Sequence, residues 1–220
     1  MNNNTIIVLD FETGGLDPKS CEITQLACCA VNPRTLQIGD IFDSECRPED
    51  ENNLDDKALE ITHKTKEELR KAPPLPEVWK NFKQYLKNHT GKTKFNRPIR
   101  AGYNILSFDN VILDRLCDKF GDVDSDGKQN LFSDFISIDM MTTIWMLMEN
   151  SNALAKFSDK GKHDIKFTTV SKWLGLGDEG AHNAKTDVLR EAKVMVKFLN
   201  WYRRVSERVN FEGTMADEKI

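Results

Sequence analysis

The chain has 220 residues, 39% of them hydrophobic and 30% charged, with a net charge of −4. That length suits one large domain or two small ones with a real core, and the composition is globular rather than disordered. The acidic balance argues against a tight, non-specific duplex binder, which is ordinarily basic, and no run approaches the roughly 20 apolar residues of a membrane-crossing helix.

Residues 5–11 predict a strand, because Ile6-Ile7-Val8-Leu9 is an apolar, β-branched run. Residues 23–31 and 36–46 predict two more, with Asn32-Pro33 in the turn between them, as in an antiparallel meander. Helical periodicity then takes over. Val78, Phe82, Tyr85 and Leu86 form one apolar stripe after Pro73-Pro74-Leu75-Pro76. Residues 98–103 predict a buried strand, and Phe108, Ile112, Leu116 and Phe120 stripe the next helix. A further strand is expected over 135–138, followed by a helix carrying Met141, Ile144, Leu147 and Met148. A short helix over 168–174 ends at Gly175. The last long helix runs from Ala184 to about Arg204, with Leu189, Ala192, Val196 and Leu199 inward. Residues 121–131 and 149–166 read as flexible connections. The expected organisation is one α/β domain over 1–205 with a mixed sheet, and a polar tail over 206–220.

The start Met1-Asn2-Asn3-Asn4 lacks the basic region of a signal peptide. The five cysteines (Cys21, Cys28, Cys29, Cys46, Cys117) are odd in number and form no Cys-x-x-Cys pair. Both features predict a reduced, intracellular, cytoplasmic protein. Charge is unevenly spread: residues 40–56 are acidic and 64–100 basic. The basic block reads either as a guide for a phosphate backbone or as a solvated helix face.

Asp10 and Glu12 are two apart on the first strand, so they share a face. Two like charges buried side by side need positive compensation, and a divalent metal supplies it most directly; a strand that simply ends at a polar turn is the plain alternative. Asp109 falls just after a strand and at a helix start, where open α/β sheets bind ligands; complementing the helix dipole is its plain alternative. Asp187 lies at the edge of the last helix's apolar stripe and is expected to face the sheet. His182 sits at or before that helix's N-terminus, as a functional group or as a cap.

Together these residues resemble the DEDDh family of 3′–5′ exonucleases, the DnaQ-like group. Asp10-Phe11-Glu12-Thr13-Gly14 matches the first motif, Asn104 through Phe108-Asp109 the second, and His182-x-Ala184-x-x-Asp187 the third. The five-residue step from His to Asp separates this branch from the tyrosine branch. Two departures stand out. Tyr103 replaces a His common before the Asn, and Thr62, next to His63, falls where the family's polymerase subunit has a substrate-contacting His.

The resemblance implies a ribonuclease H-like fold with a mixed five-stranded sheet flanked by helices. It implies two Mg²⁺ or Mn²⁺ ions on Asp10, Glu12, Asp109 and Asp187, with His182 as general base. Thr13, Gly14, Gly15 and Leu16 would form a turn against the terminal nucleotide, Leu16 wedging the base. Thr62, Asn104 and Phe108 would complete the substrate contacts, although a core position is the plainer reading of Phe108. The implied activity is hydrolysis from the 3′ end of single-stranded DNA, releasing nucleoside 5′-monophosphates. An RNA-processing exonuclease or oligoribonuclease, and a non-catalytic nucleic-acid-binding module, are the alternatives. With no polymerase domain attached, proofreading would be for a DNA polymerase in trans, and no membrane partner is expected.

Two weaker signals remain. Asp122-Val123-Asp124-Ser125-Asp126-Gly127 opens like an EF-hand calcium loop, but the twelfth position is Ser133 rather than Glu, so a polar surface loop is expected. Gln129-Asn130-Leu131-Phe132 loosely matches a sliding-clamp peptide, and a loop entering a strand is the simpler reading.

Overall fold

The structure, a computed structural model, describes residues 4–91, 93–149 and 164–208. Strands β1 (Ile6–Thr13), β2 (Ile23–Val31) and β3 (Ile38–Glu45) form the expected antiparallel meander. Strands β4 (Ile99–Gly102) and β5 (Ser137–Asp139) add in parallel, giving a mixed five-stranded sheet in the order β3-β2-β1-β4-β5. The central strand is therefore the one that carries Asp10 and Glu12.

Alternation along β1 builds two cores. Ile7, Leu9 and Phe11 join Val78, Trp79 and Phe82 of helix α3 (Leu75–Lys87) and Ile112, Leu113 and Leu116 of helix α4 (Asp109–Phe120). Ile6 and Val8 face the other way, onto α5 (Met140–Glu149), α6 (Phe167–Trp173) and α7 (Ala184–Arg208). β2 is buried along its whole length, sandwiched between the layers. Because Asp10 and Glu12 have the parity of Ile6 and Val8, they point at the α7 side.

Four expectations are corrected by the packing. The strand expected over 135–138 is only Ser137–Asp139, because β4 offers Arg100–Gly102 alone for pairing; Phe135 lies outside, 83% exposed. The inward face of α7 is Ala184, Val188, Ala192, Met195 and Phe198; Val196 and Leu199 flank it, while Leu189 is half-buried and lies outside that cluster. That helix also continues to Arg208. Two short helices that apolar periodicity does not reveal, α1 (Asp56–Thr62) and α2 (Lys66–Lys71), occupy the segment before α3. Most of the connection expected over 149–166 falls outside the described residues, as does the tail from 209.

The charge blocks pair with each other. Lys64 meets Glu45 at 3.1 Å, Lys66 meets Asp56 at 2.9 Å and Arg70 meets Glu51 at 2.6 Å. The calcium-like loop is likewise satisfied by protein donors. The Asp122 carboxylate accepts from Trp79 Nε1 at 2.7 Å and Lys83 Nζ at 2.8 Å, and that of Asp124 accepts from the Asp126 and Lys128 amides. Phe132 is fully buried beside Phe82, so residues 129–132 are loop and core rather than a free peptide. Among the described residues no helix is long and apolar enough to cross a membrane.

Candidate active site

β4 pairs with only Ile6, Ile7 and Val8 of β1, so β1 runs on past the end of its parallel neighbour. Asp10 and Glu12 lie on that overhang, at the carboxyl end of the sheet, where this class of fold opens a crevice. α7 packs across the same face of β1 and β2 and brings Asp187 over it. One oxygen each from Asp10, Glu12 and Asp187 lie within 4.8 Å of one another. Asp109 enters from the other layer as the first residue of α4 and is buried; its Oδ1 accepts the Phe11 amide at 3.1 Å. Four carboxylates scattered between positions 10 and 187 thus gather around one strand end.

His182 and Asn104 border the same cleft, whose volume is ≈ 540 Å³, within the size range of small-ligand sites. Both have left-handed backbones, with φ of 64° and 59°. Asn and His tolerate that region better than most residues, and such strain concentrates at functional sites. The His182 amide donates to Asp187 Oδ2 at 2.8 Å, fixing the loop against the helix while the residue stays exposed. The Asn104 amide donates to Asp139 Oδ1 at 3.2 Å. Tyr103 packs on Phe167 with ring centroids 5.0 Å apart, closing one wall.

The turn after β1 is held from both sides. The Gly14 amide donates to Glu22 O at 2.8 Å, and Gly14 O accepts the Asp55 amide at 2.7 Å. A Cβ at Gly14 would come within 2.3 Å of Leu54 Cδ2, so a larger residue there would have to displace the Leu54 side chain. Thr13 Oγ1 donates to Gly15 O at 2.7 Å, and Leu16 projects at the tip, 83% exposed. Phe108 is half-buried and packs on the α3–α4 core, the plainer of its two readings. Thr62 is buried, and its hydroxyl donates to Ala58 O at 3.0 Å within its own helix; it does not line the cleft. His63 beside it is exposed and left-handed, capping α1.

Three residues at or near the site escape sequence reasoning. Glu191 lies one turn beyond Asp187, is 3% exposed and lines the cleft. Arg190 is buried and donates to Asp187 Oδ1 at 2.6 Å and to Glu179 O at 2.6 Å. Lys64, also buried, is the cation that lowers the Glu12 pKa. Arg190 and Glu191 lie on α7 and Lys64 in the loop between α1 and α2, and an apolar repeat gives no sign of any of the three.

Burial and crowding make the acids hold their protons. Asp10 is pushed well above the usual carboxylate range, first by burial and then by the charges of Asp109, Glu191, Glu12 and Asp187. Glu12 is raised to about 7 by burial and by Asp187, with Lys64 opposing. Asp109 is raised to about 7, mainly by burial, against the Phe11 hydrogen bond. Burial also raises Asp187, against its bonds to the His182 amide and Arg190. Carboxylates so reluctant to ionise together, with clustered hard oxygen donors, fit a divalent cation.

Comparison with known proteins agrees with this geometry. The RNase_T family model, described as "Exonuclease", matches residues 7–195. The nuclease domain of 3′hExo, a DEDDh family member solved bound to rAMP, superposes with a TM-score of 0.66 at 20% identity, covering 90% of this chain and 92% of that one. E. coli Exonuclease I in complex with a dT13 oligonucleotide gives a TM-score of 0.71 at 18% identity, over 93% of this chain and 43% of that one. A PolC-type DNA polymerase III from Thermotoga petrophila is 37% identical over 86 residues, a match spanning 39% of this chain and only 6% of that relative. With the match running through both β1 and α7, this chain of ribonuclease H-like fold belongs to the RNase_T family of exonucleases.

Proposed function

We propose that the protein is a two-metal 3′–5′ exonuclease that shortens single-stranded DNA and releases nucleoside 5′-monophosphates. The observation that carries this reading is the meeting of Asp10, Glu12 and Asp187 oxygens within 4.8 Å of one another, in a cleft bordered by His182. Asp10, Glu12, Asp109 and Asp187 would hold two Mg²⁺ or Mn²⁺ ions, whose oxygen preference they satisfy. Two such ions, when bound, activate water and stabilise the leaving 3′-oxygen. His182 accepts the proton of the attacking water, a task for which imidazole is suited near neutral pH. The anchored turn at Gly14 and Gly15 receives the terminal nucleotide, Leu16 separates its base from the next, and Asn104 lines the opposite side.

The DNA assignment draws on the PolC-type relative and on the oligonucleotide bound by Exonuclease I. It also makes work beside a polymerase in trans a natural setting. RNA is the second reading, favoured by the rAMP in the 3′hExo domain, 92% of which this chain covers. The five unpaired, buried cysteines suit a reducing compartment. A 5′-labelled oligonucleotide, as DNA and as RNA, tests the proposal. Stepwise shortening from the 3′ end with Mg²⁺, abolished by EDTA and faster on DNA, is expected. Faster shortening of RNA would move the substrate assignment, and intact strands of both kinds would reject the activity.

A further inference from the structure

We infer that Glu191 is a fifth carboxylate of the metal centre, filling a ligand position that Arg190 takes from Asp187. The inference rests on the metal-dependent reading above. Both oxygens of Asp187 already serve protein donors: Oδ2 accepts the His182 amide at 2.8 Å, and Oδ1 accepts Arg190 Nη1 at 2.6 Å. Arg190 is not free to swing away, because it is buried and its Nη2 is tied to Glu179 O at 2.6 Å. An acid engaged in this way has less electron density to offer an ion.

Glu191 is placed to make up the deficit. It sits one helical turn after Asp187, on the same face of α7, and lines the same cleft. It is 3% exposed; the Tyr103 amide acts on its carboxyl group, but its Oε2 finds no hydrogen-bond partner among the described residues. A buried, unpartnered carboxylate oxygen is costly, and calls for a ligand. In the same cleft, the oxygens of Asp10, Glu12 and Asp187 lie within 4.8 Å of one another.

Charge balance agrees. Four family carboxylates match the charge of two divalent cations. Here Arg190 places one positive charge against Asp187, and Glu191 places one negative charge at the next position of the helix.

Calorimetric titration of Mn²⁺ into the unmodified chain, Glu191→Gln and Asp10→Asn, without nucleic acid, tests this. Glu191→Gln should weaken Mn²⁺ binding about 10–100-fold or remove one ion, while its melting temperature in EDTA stays equal to or above that of the unmodified chain. Unaltered affinity and stoichiometry in Glu191→Gln, with Asp10→Asn impaired, would overturn the role of Glu191 alone. No Mn²⁺ uptake by the unmodified chain would overturn the metal reading and this inference together. Should Glu191→Gln fail to fold, crystals of the unmodified chain soaked in Mn²⁺ decide. An anomalous peak roughly 2–2.3 Å from a Glu191 oxygen supports ligation, and peaks only on the other acids overturn it.

Discussion

The parts proposed for Asp10 and His182 differ, and substitution should separate them. Removing the Asp10 carboxylate takes away a shared oxygen donor and also relieves crowding on its acidic neighbours. Asp10→Ala should therefore abolish nuclease activity while the metal-free melting temperature holds or rises; retained activity in a gel assay would reject its role. His182 presents an exposed side chain, and its hold on Asp187 runs through the backbone amide. His182→Ala should lower turnover by roughly 10²–10⁴-fold with Mn²⁺ affinity unchanged, and unchanged turnover would remove it from the chemistry. These residues were legible because short motifs place acids at strand and helix ends. Glu191 was not, since nothing in an isolated helix tells a solvated glutamate from one pressed against a strand. Arg190, one residue earlier, hides for the same reason.

Elements were legible in proportion to their length and apolar repeat. β1, β2, α3, α4 and α7 have long apolar patterns, and their positions follow from them. α1 and α2 have seven and six residues, too few for a 3.6-residue period to declare itself, and they form through caps: Asp55 and Thr65 accept the amides of Lys57 and Glu68. The inward face of α7 was misjudged because the apolar repeat of a 25-residue helix does not say which of two adjacent stripes meets the sheet. α3 shows what a correctly read stripe contributes. Phe82 is fully buried among Trp79, Phe42 and Phe132. Phe82→Ala should cost about 3–5 kcal/mol, seen as a lower urea midpoint with an unchanged m-value. A loss below about 1 kcal/mol would mean that the two cores are less cooperative than their shared sheet indicates.

At the scale of the molecule, the acidic cluster makes stability depend on pH and on metal. Glu12 and Asp109 titrate at about 7 in the folded chain, against roughly 4 when unfolded. Between those values the folded chain binds more protons, so stability falls as pH rises through that window and the loss is complete above it. In EDTA the melting temperature should be higher at pH 5 than at pH 8, and excess Mg²⁺ should restore it chiefly at pH 8. A melting temperature in EDTA that rises from pH 5 to pH 8 would contradict this. The paired charge blocks have a different consequence. Lys64, Lys66, Arg70, Lys83, Arg97 and Arg100, six of that block's eleven cations, each face a carboxylate and are the less available to a polyanion. Affinity for a single strand loses about 0.7 log unit per neutralised phosphate for each log unit of added salt, so its ionic-strength dependence should be shallow. A grip confined to the last nucleotides also dissociates readily between cuts. Digestion should then be distributive, leaving a ladder of every intermediate length while most strands are still being trimmed.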